Sequence, residues 1–250
     1  MCQNATITIF DAMDMMDVLE NGAEYFLPNL SIDLVIIGYE ENTLKCLLLK
    51  LGEKWALPGG YVGKTQSVDE SVKRVMLERA GLVKPHLKFL SVFGAADRQF
   101  DQEFKSYFDL KGMTWKDDYF INNRFVTLAY YSLVDIHQLH PTPGPFDEAA
   151  EWFSFDELPP MWLDHRLIVD TARAKLKLDV KTEPVTYNLL SDAFTMPQLH
   201  QLHQTILETD IDRSRFQKKM LASGLFERLP QLKKEAPGRN PYQYRLKDKV

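Results

Sequence analysis

A glycine-rich turn and the helix behind it hold the residues best suited to phosphate or metal chemistry. The turn reads Leu57-Pro58-Gly59-Gly60, and the pattern predicts a helix over residues 67–80. Ser67 can cap this helix with Glu70 completing a capping box, and Gly81 is typical of a helix end. Hard divalent cations take several oxygen ligands, which carboxylates one turn apart on a helix supply. The acidic residues of this helix therefore decide whether it can hold a metal.

Residues 60–82 resemble the Nudix box, in which a glycine is followed at fixed intervals by a glutamate, an arginine–glutamate pair, a glutamate pair and a second glycine. The residues of this chain that agree with the pattern are Gly60, Arg74, Glu78, Gly81 and Leu82. Three positions depart from it. Gln66 and Val75 stand where glutamates are expected, and Arg79 replaces the second member of the glutamate pair.

These departures remove most of the metal ligands. The resemblance implies hydrolysis of a pyrophosphate linked to another moiety, with Mg²⁺ or Mn²⁺ held by the box carboxylates. Here Glu78 stands alone between apolar Val75 and cationic Arg79, which would repel the metal. Polarised phosphate and activated water both depend on that metal. We therefore predict no catalytic residues, no metal site and no cofactor.

The alternative is an active pyrophosphohydrolase that acts on ADP-ribose or another nucleoside diphosphate derivative. In that interpretation Glu78 would hold the metal together with a carboxylate outside the box, such as Glu148 or Glu151. Turnover of nucleotide sugars with Mg²⁺ or Mn²⁺ would distinguish an active hydrolase from a protein that has lost its catalytic residues.

Further blocks narrow the resemblance to the NrtR-like family of Nudix-related transcriptional regulators. They lie at residues 93–98, 124–131, 150–153, 157–159 and 163–166. The resemblance implies a homodimer with one winged helix per subunit, and an effector that alters their spacing on a palindromic operator. In relatives the effector is ADP-ribose or, in other branches, a pentose or similar sugar. The candidate effector-binding residues, chosen near the former active site, are Trp55, Glu78, Asp97, Arg98 and Arg124.

An aromatic-rich segment at residues 99–123 separates two blocks that lie close together in the relatives. Its aromatic residues are Phe100, Phe104, Tyr107, Phe108, Trp115, Tyr119 and Phe120. The segment is open to three interpretations: a lid over the ligand, an interface patch, or an ornament with its own small core.

The C-terminal part has the pattern of a winged helix-turn-helix. Thr195 can cap a first helix with Gln198, a second helix runs from about Asp212 to Ser223, and residues 225–229 and 242–246 alternate like a hairpin. In that layout the second helix enters the major groove of double-stranded operator DNA, and the wing meets phosphate. The candidate DNA-binding residues are Arg213, Ser214, Arg215, Gln217, Lys218, Lys219, Lys233, Lys234 and Arg239.

The distribution of charge agrees with a separate C-terminal domain. Residues 1–185 carry 19 basic and 28 acidic side chains, and residues 186–250 carry 11 and 7, so an acidic body precedes a basic tail. A short basic domain suits a polyanion. With only Cys2 and Cys46, no disulfide framework is available. Apolar runs are strand-sized and the N-terminus does not resemble a signal peptide, so we expect a cytoplasmic protein without membrane contact.

The elements needed to position these residues predict an α/β fold. We expect a Nudix α/β/α sandwich with a mixed sheet over residues 1–181, which would sense the effector and would include an N-terminal arm and the insertion. Strands are predicted at residues 32–39, 44–51, 87–95, 125–133 and 150–155, and a helix at 164–176. Residues 182–190 are predicted to be an extended linker to a winged helix-turn-helix over residues 186–250.

Overall fold

The computed structural model describes residues 14–83, 85–99, 101–139, 141, 143, 147–184, 186–231 and 241–247. Within those ranges, no helix is long and apolar enough to cross a membrane. The strands of the larger domain are β1 (Phe26–Glu40), β2 (Thr43–Leu51), β3 (Lys54–Ala56), β4 (Gly59–Gly63), β5 (Leu87–Phe93), β6 (Val126–Leu133) and β7 (Ala149–Ser154). Its helices are α1 (Met15–Tyr25), α2 (Val68–Ala80), α3 (Asp101–Leu110) and α4 (His165–Thr182).

The seven strands form one mixed sheet, which confirms the predicted sheet type. The main path runs β3-β2-β1-β6-β5, with β4 paired to β1 and β7 paired to β2. Only the β1–β6 pair is parallel, whereas the other pairs are antiparallel. The long strand β1 lies at the centre because its first half pairs with β4 and its last residues pair with β2.

Helices cover both faces of the sheet because β1 is apolar on both. Ile32 and Ile36 point to the face where α2 packs, in one core with Val72 and Met76. Val35 and Ile37 point to the opposite face, where the residues of α4 that pack are Ile168, Val169, Ala172 and Leu176. Successive side chains of a strand alternate between faces, so one apolar run serves two cores. This is the predicted α/β/α sandwich.

The predicted N-terminal arm contains α1, and the insertion contains α3. Both pack in one apolar cluster that includes Leu19, Tyr107, Phe108, Tyr119 and Trp162. The insertion is therefore a structured part of the larger domain with side chains of its own in a core. Residues 1–13 of the arm and Phe100 of the insertion lie outside the described residues.

The C-terminal elements are β8 (Phe194–Thr195), α5 (Met196–Leu207), α6 (Arg213–Ala222), β9 (Phe226–Gln231) and β10 (Tyr242–Leu246). The three strands form a sheet in the order β8-β10-β9, and β9 and β10 are the antiparallel hairpin that alternation predicts. The predicted capping box of α5 is present, because Thr195 Oγ1 accepts from the Gln198 backbone N–H and the Gln198 side chain accepts from the Thr195 backbone N–H. These elements are those of the predicted winged helix-turn-helix.

The prediction of an extended linker at residues 182–190 is wrong. Helix α4 continues to Thr182, and a 3₁₀ turn follows at Thr186–Leu189. Thr186, Tyr187 and Leu189 are buried. The local sequence does not reveal this, because Tyr187 and Leu189 are buried in two cores whose other residues come from distant parts of the chain.

Helix α5 belongs to both domains. Met196 and Leu199 pack in the core of the winged helix, whereas Leu202 and Ile206 are buried in the same core as α4 and the larger sheet. One apolar stripe along the helix therefore joins the two domains.

Candidate functional site

A cavity of about 410 Å³ lies between the box helix α2, strands β1 and β4, the start of α4, helix α1 and the insertion. This volume falls within the range of small-molecule sites. The residues of the box and its lead-in that line the cavity are Leu57, Gly59, Gly60, Tyr61, Arg74, Glu78 and Arg79. The cavity therefore occupies the place that the sequence predicts for ligand chemistry.

The local sequence of the box determines how α2 is presented. The capping box of Ser67 and Glu70 is formed, and Gly81 ends the helix with a positive φ of 71°. A glycine is also required at position 60, because a Cβ there would lie 2.8 Å from Val75 Cγ2. This close approach brings the strand carrying Tyr61 onto the helix carrying Arg74 and Glu78.

Arg74 is held by three partners. Its Nε donates to Gln66 Oε1 at 3.0 Å, one terminal nitrogen donates to Glu78 Oε2 at 2.9 Å, and the other donates to the Tyr61 carbonyl at 2.7 Å. Gln66 therefore orients an arginine, as a neutral amide oxygen is able to do. Val75 is fully buried in the core beneath the box.

Arg79 pairs with a carboxylate from across the cavity. Its guanidinium lies 2.9 Å from Asp147 Oδ2, and a second hydrogen bond to Oδ1 is 3.1 Å long. Such two-point arginine–carboxylate contacts fix geometry as well as charge. Glu148 and Glu151, the two carboxylates given as examples for the hydrolase alternative, do not line the cavity, whereas Asp33 and Asp147 do.

Arg98 is buried below the box in a group of charges. It donates to both carboxylate oxygens of Asp164, at 2.9 and 3.1 Å, and to the Phe125 carbonyl at 3.0 Å. Asp33 Oδ2 lies 3.5 Å from the same guanidinium. The side chain of Arg98 is only 4% exposed, so its charge is held by these acceptors rather than by water.

His165, the first residue of α4, is the neutral member of this group. Its Nδ1 accepts from the Leu57 backbone N–H at 2.9 Å, so the proton is placed on Nε2, which faces Asp33 Oδ1 at 3.6 Å. Burial lowers the pKa of the imidazole, against the opposing effect of Asp33. The ring is therefore a neutral acceptor for the Leu57 backbone at the start of α4.

Helix α6 presents a polar and basic surface. The predicted DNA-binding residues on it are all exposed: Arg213, Ser214, Arg215, Gln217, Lys218 and Lys219. Phe216 alone is buried, in the core of the winged helix. Asp212 caps the helix by accepting from the Arg215 backbone N–H at 2.7 Å. Lys233, Lys234 and Arg239 lie outside the described residues.

Comparison with known proteins assigns both parts of this architecture. The NUDIX domain family matches residues 30–172. This chain belongs to the Nudix family. A second match, to the NrtR DNA-binding winged helix domain, covers residues 186–246. The chain is thus a Nudix protein that carries a DNA-binding winged helix. This is the domain combination of a transcription regulator, as the sequence predicts.

Relatives share this combination along most of their length. The ADPR responsive transcriptional repressor NtrR of Acinetobacter baylyi is 24% identical over 238 residues, which cover 90% of this chain and 86% of that protein. NrtR of Shewanella oneidensis, in a crystal structure with a 27mer DNA, aligns with a TM-score of 0.67 at 22% identity, over 87% of this chain and 93% of that one. A MutT/nudix family protein of Enterococcus faecalis gives 0.64 at 23% identity, over 89% and 88%.

The five predicted effector-binding residues of this Nudix protein fall into two groups. Glu78 and Arg98 line the cavity. Trp55 is buried in the core on the α4 side of the sheet, with its ring 4.5 Å from that of Phe153. Asp97 is exposed in a turn, and Arg124 donates to the Gly94 carbonyl at 2.6 Å on the surface. The cavity thus brings together two of the five.

Sequence reasoning missed Asp33, Asp147 and His165 as residues of the cavity. Asp33 carried a signal, because a carboxylate inside the apolar run of β1 needs a buried partner. Asp147 carried none, since it precedes β7 in an irregular segment and meets Arg79 only in three dimensions. Arg228, on β9, is a further exposed cation missed in the wing, with its guanidinium 3.3 Å from the centre of the Tyr242 ring.

Proposed function

We propose that this Nudix protein is a transcriptional repressor that binds operator DNA through its winged helix and is controlled by ADP-ribose bound in the box cavity. The observation that carries the proposal is the Arg79–Asp147 pair inside that cavity. It puts a guanidinium at a box position where hydrolysis would require a metal-binding carboxylate. A cavity of this kind is suited to binding a diphosphate without cleaving it.

The names of the relatives agree with this proposal. The Acinetobacter protein is named as a repressor responsive to ADPR, and the Shewanella protein was crystallised with DNA. Three arginines that line the cavity, Arg74, Arg79 and Arg98, are appropriate to an anionic ligand. Each of the three is paired with a carboxylate in this structure, so a diphosphate would bind by taking over some of those contacts.

Loss of hydrolase activity is part of the proposal. Glu78 accepts from Arg74 at 2.9 Å, so the remaining box glutamate is engaged by a cation rather than presented as one of several oxygen ligands. Among the described residues there is no group of three or more histidine, cysteine or acidic side chains that could hold a metal ion. Release of AMP from ADP-ribose with Mg²⁺ or Mn²⁺ at ordinary enzyme rates would overturn this part.

Helix α4 offers a physical route from the cavity to the winged helix. Its first residue, His165, lines the cavity, and Asp164 just before it binds Arg98. Further along, Arg173 and Lys177 both contact Glu208 at the end of α5, each at 2.6 Å. A ligand that shifts the start of α4 would therefore act on the helix that supports the DNA-reading α6. A packed helix that contacts both sites is the element through which ligand binding would change DNA binding.

The proposed regulator is a homodimer in the cytoplasm, where chromosomal DNA is accessible. Each subunit would carry an effector-sensing domain over residues 1–181 and a DNA-binding domain over residues 186–250. A two-fold dimer matches a palindromic operator with two half-sites.

Fluorescence anisotropy with DNA from the promoter region of the chain's own gene tests the proposal. We expect salt-sensitive, sequence-preferring binding that ADP-ribose weakens, with AMP and ribose 5-phosphate as controls. Sedimentation of the same complex would give two chains per operator. Binding that is equal on scrambled DNA would contradict the DNA-binding role, and specific binding indifferent to ADP-ribose would contradict the effector.

A further inference from the structure

The wall of the cavity has two chemically different parts. One is polar, and its residues are the charged side chains Asp33, Arg74, Glu78, Arg79, Arg98 and Asp147 with the neutral His165. The other is apolar and contains side chains of α1 and of the insertion: Met15, Val18, Leu19, Phe104, Tyr107, Phe108 and Ile121. A ligand that fills the cavity must therefore have one polar or charged part, able to exchange contacts with these paired side chains, and one part that gains by leaving water.

The apolar part is fixed in place rather than loosely laid over the cavity. The Phe120 backbone N–H donates to the Leu19 carbonyl at 2.8 Å, which joins the insertion to α1. Lys54 pairs with Glu103 of α3 at 3.0 Å. A Cβ on Gly52 would lie 2.8 Å from the Tyr107 ring, so the turn after β2 packs tightly on α3. The insertion thus forms a preorganised wall.

Three of the seven side chains of this wall are aromatic: Phe104, Tyr107 and Phe108. Phe104 is stacked on Trp162, with ring centres 5.2 Å apart and planes 21° apart, and also lies near-parallel to Trp115, with ring centres 6.3 Å apart. Trp162 is held in turn, because its Nε1 donates to the Leu51 carbonyl at 2.9 Å. Tyr107 packs edge-on against the same indole at 5.9 Å. Rings positioned in this way suit a planar heteroaromatic group, whereas sugar hydroxyls placed against them would lose hydrogen bonds to water.

We infer that the insertion builds a subsite for the nucleobase of the effector, so that Phe104 and Tyr107 select a base-bearing ligand while the arginines of the box take its diphosphate. This rests on the proposed function and assigns the insertion a role in specificity. It also predicts that a sugar phosphate without a base binds weakly, because only the polar part of the wall would contact it.

Calorimetric titration of the full chain with ADP-ribose and with ribose 5-phosphate tests the inference. We expect Phe104→Ala to lose about tenfold or more in affinity for ADP-ribose, a typical effect of removing one base–aromatic contact. Affinity for ribose 5-phosphate should not change, since that ligand has no base. Phe89→Ala is the matched control, because it removes a ring of β5 that is 52% exposed and does not line the cavity. This variant should bind both ligands as the wild type does.

Phe104→Leu keeps the apolar volume and removes the ring, and covers the case in which the alanine variant does not fold. Equal affinity of wild type and both variants for ADP-ribose would overturn the base subsite and leave the proposed function intact. An equal loss of affinity for both ligands would also overturn it. A wild-type chain that binds free pentoses but not ADP-ribose would overturn the proposed function, and the inference with it.

Discussion

At the scale of single residues, the cavity depends on charges that have little access to water. Arg98 is surrounded by Asp164, Asp33 and the Phe125 carbonyl, and the side chains of Arg98 and Asp33 are almost fully buried. Removal of one partner from such a group leaves an uncompensated charge, which costs far more than the pair contributes. Arg98 is therefore a structural requirement of the cavity as well as part of its wall.

Arg98→Ala should lower the free energy of unfolding by about 3–5 kcal/mol, because Asp33 and Asp164 would lose their buried cation. Urea unfolding of the purified chain measures this. Arg166→Ala is the control, since Arg166 pairs with Asp170 on the surface, with both side chains about half exposed. That pair should contribute at most about 1 kcal/mol. Similar losses for the two variants would contradict the assignment of Arg98 to a buried charge group.

His203 of α5 gives the winged helix a dependence on pH. Its Nε2 lies 3.1 Å from Thr186 Oγ1, and burial lowers its pKa to about 4 from an ordinary value of 6.5. The unfolded chain takes up this proton below pH 6.5 and the folded chain only below about 4. The stability contribution is therefore full above pH 6.5 and is lost as the pH falls towards 4.

His203→Gln keeps a hydrogen-bonding group and removes the titration. Between pH 7.5 and pH 5 the wild type should lose about 2 kcal/mol more unfolding free energy than this variant. Denaturant titrations at the two pH values give the comparison. Parallel losses in both proteins would show that His203 is not the titrating group.

At the scale of elements, α6 is anchored along one face, where Met220 packs beside the buried Phe216. Phe216 fixes it in the core of the winged helix, while its basic and polar residues are exposed. A surface of this composition binds a polyanion through phosphate contacts, and its polar side chains can read base edges.

Replacement of Arg215 and Lys218 together by alanine should weaken operator binding and reduce its salt dependence, because two phosphate contacts are lost. Anisotropy at several salt concentrations measures both effects. Lys73→Ala with Arg166→Ala removes the same charge from exposed sites of the Nudix domain and should leave DNA binding unchanged. Thermal stability and ADP-ribose affinity should be retained in both double variants. Loss of all three properties in the α6 variant would mean that its side chains belong to the core.

At the scale of the whole molecule, the two domains share helix α5, which contributes side chains to the core of each. Leu202 and Leu199 lie on the same helix, one buried beside α4 and the other beside Phe216. A helix buried in both cores makes the unfolding of one domain costly to the other.

Leu202→Ala and Leu199→Ala should each lower the free energy of unfolding by about 2–5 kcal/mol, in one transition. All four tryptophans precede residue 163, so their fluorescence reports the Nudix domain alone. The Leu199→Ala variant, which is altered in the winged helix, should nevertheless shift this fluorescence transition. An unchanged tryptophan signal beside an early loss of helical circular dichroism would show that the domains unfold independently.

The sequence by itself determined the features that depend only on residue type and on residues close together in the chain. The cap at Ser67, the apolar run of β1 and the basic composition of α6 are local, and the structure has each of them. The loss of box glutamates at Gln66, Val75 and Arg79 is likewise plain in the residue types. These features follow from backbone hydrogen bonding and side-chain chemistry within a few residues.

Only the tertiary structure decided which residues meet. Asp147 reaches Arg79 from 68 positions along the chain, and Arg98 lies 66 positions from Asp164. The insertion forms a wall of the cavity together with α1, which packs against it. The aromatic content of the insertion alone does not specify this position. Trp55, an equally plausible ligand residue by type, points into the opposite core. Long-range packing selects among such candidates, because burial and pairing depend on surfaces brought together by the whole fold.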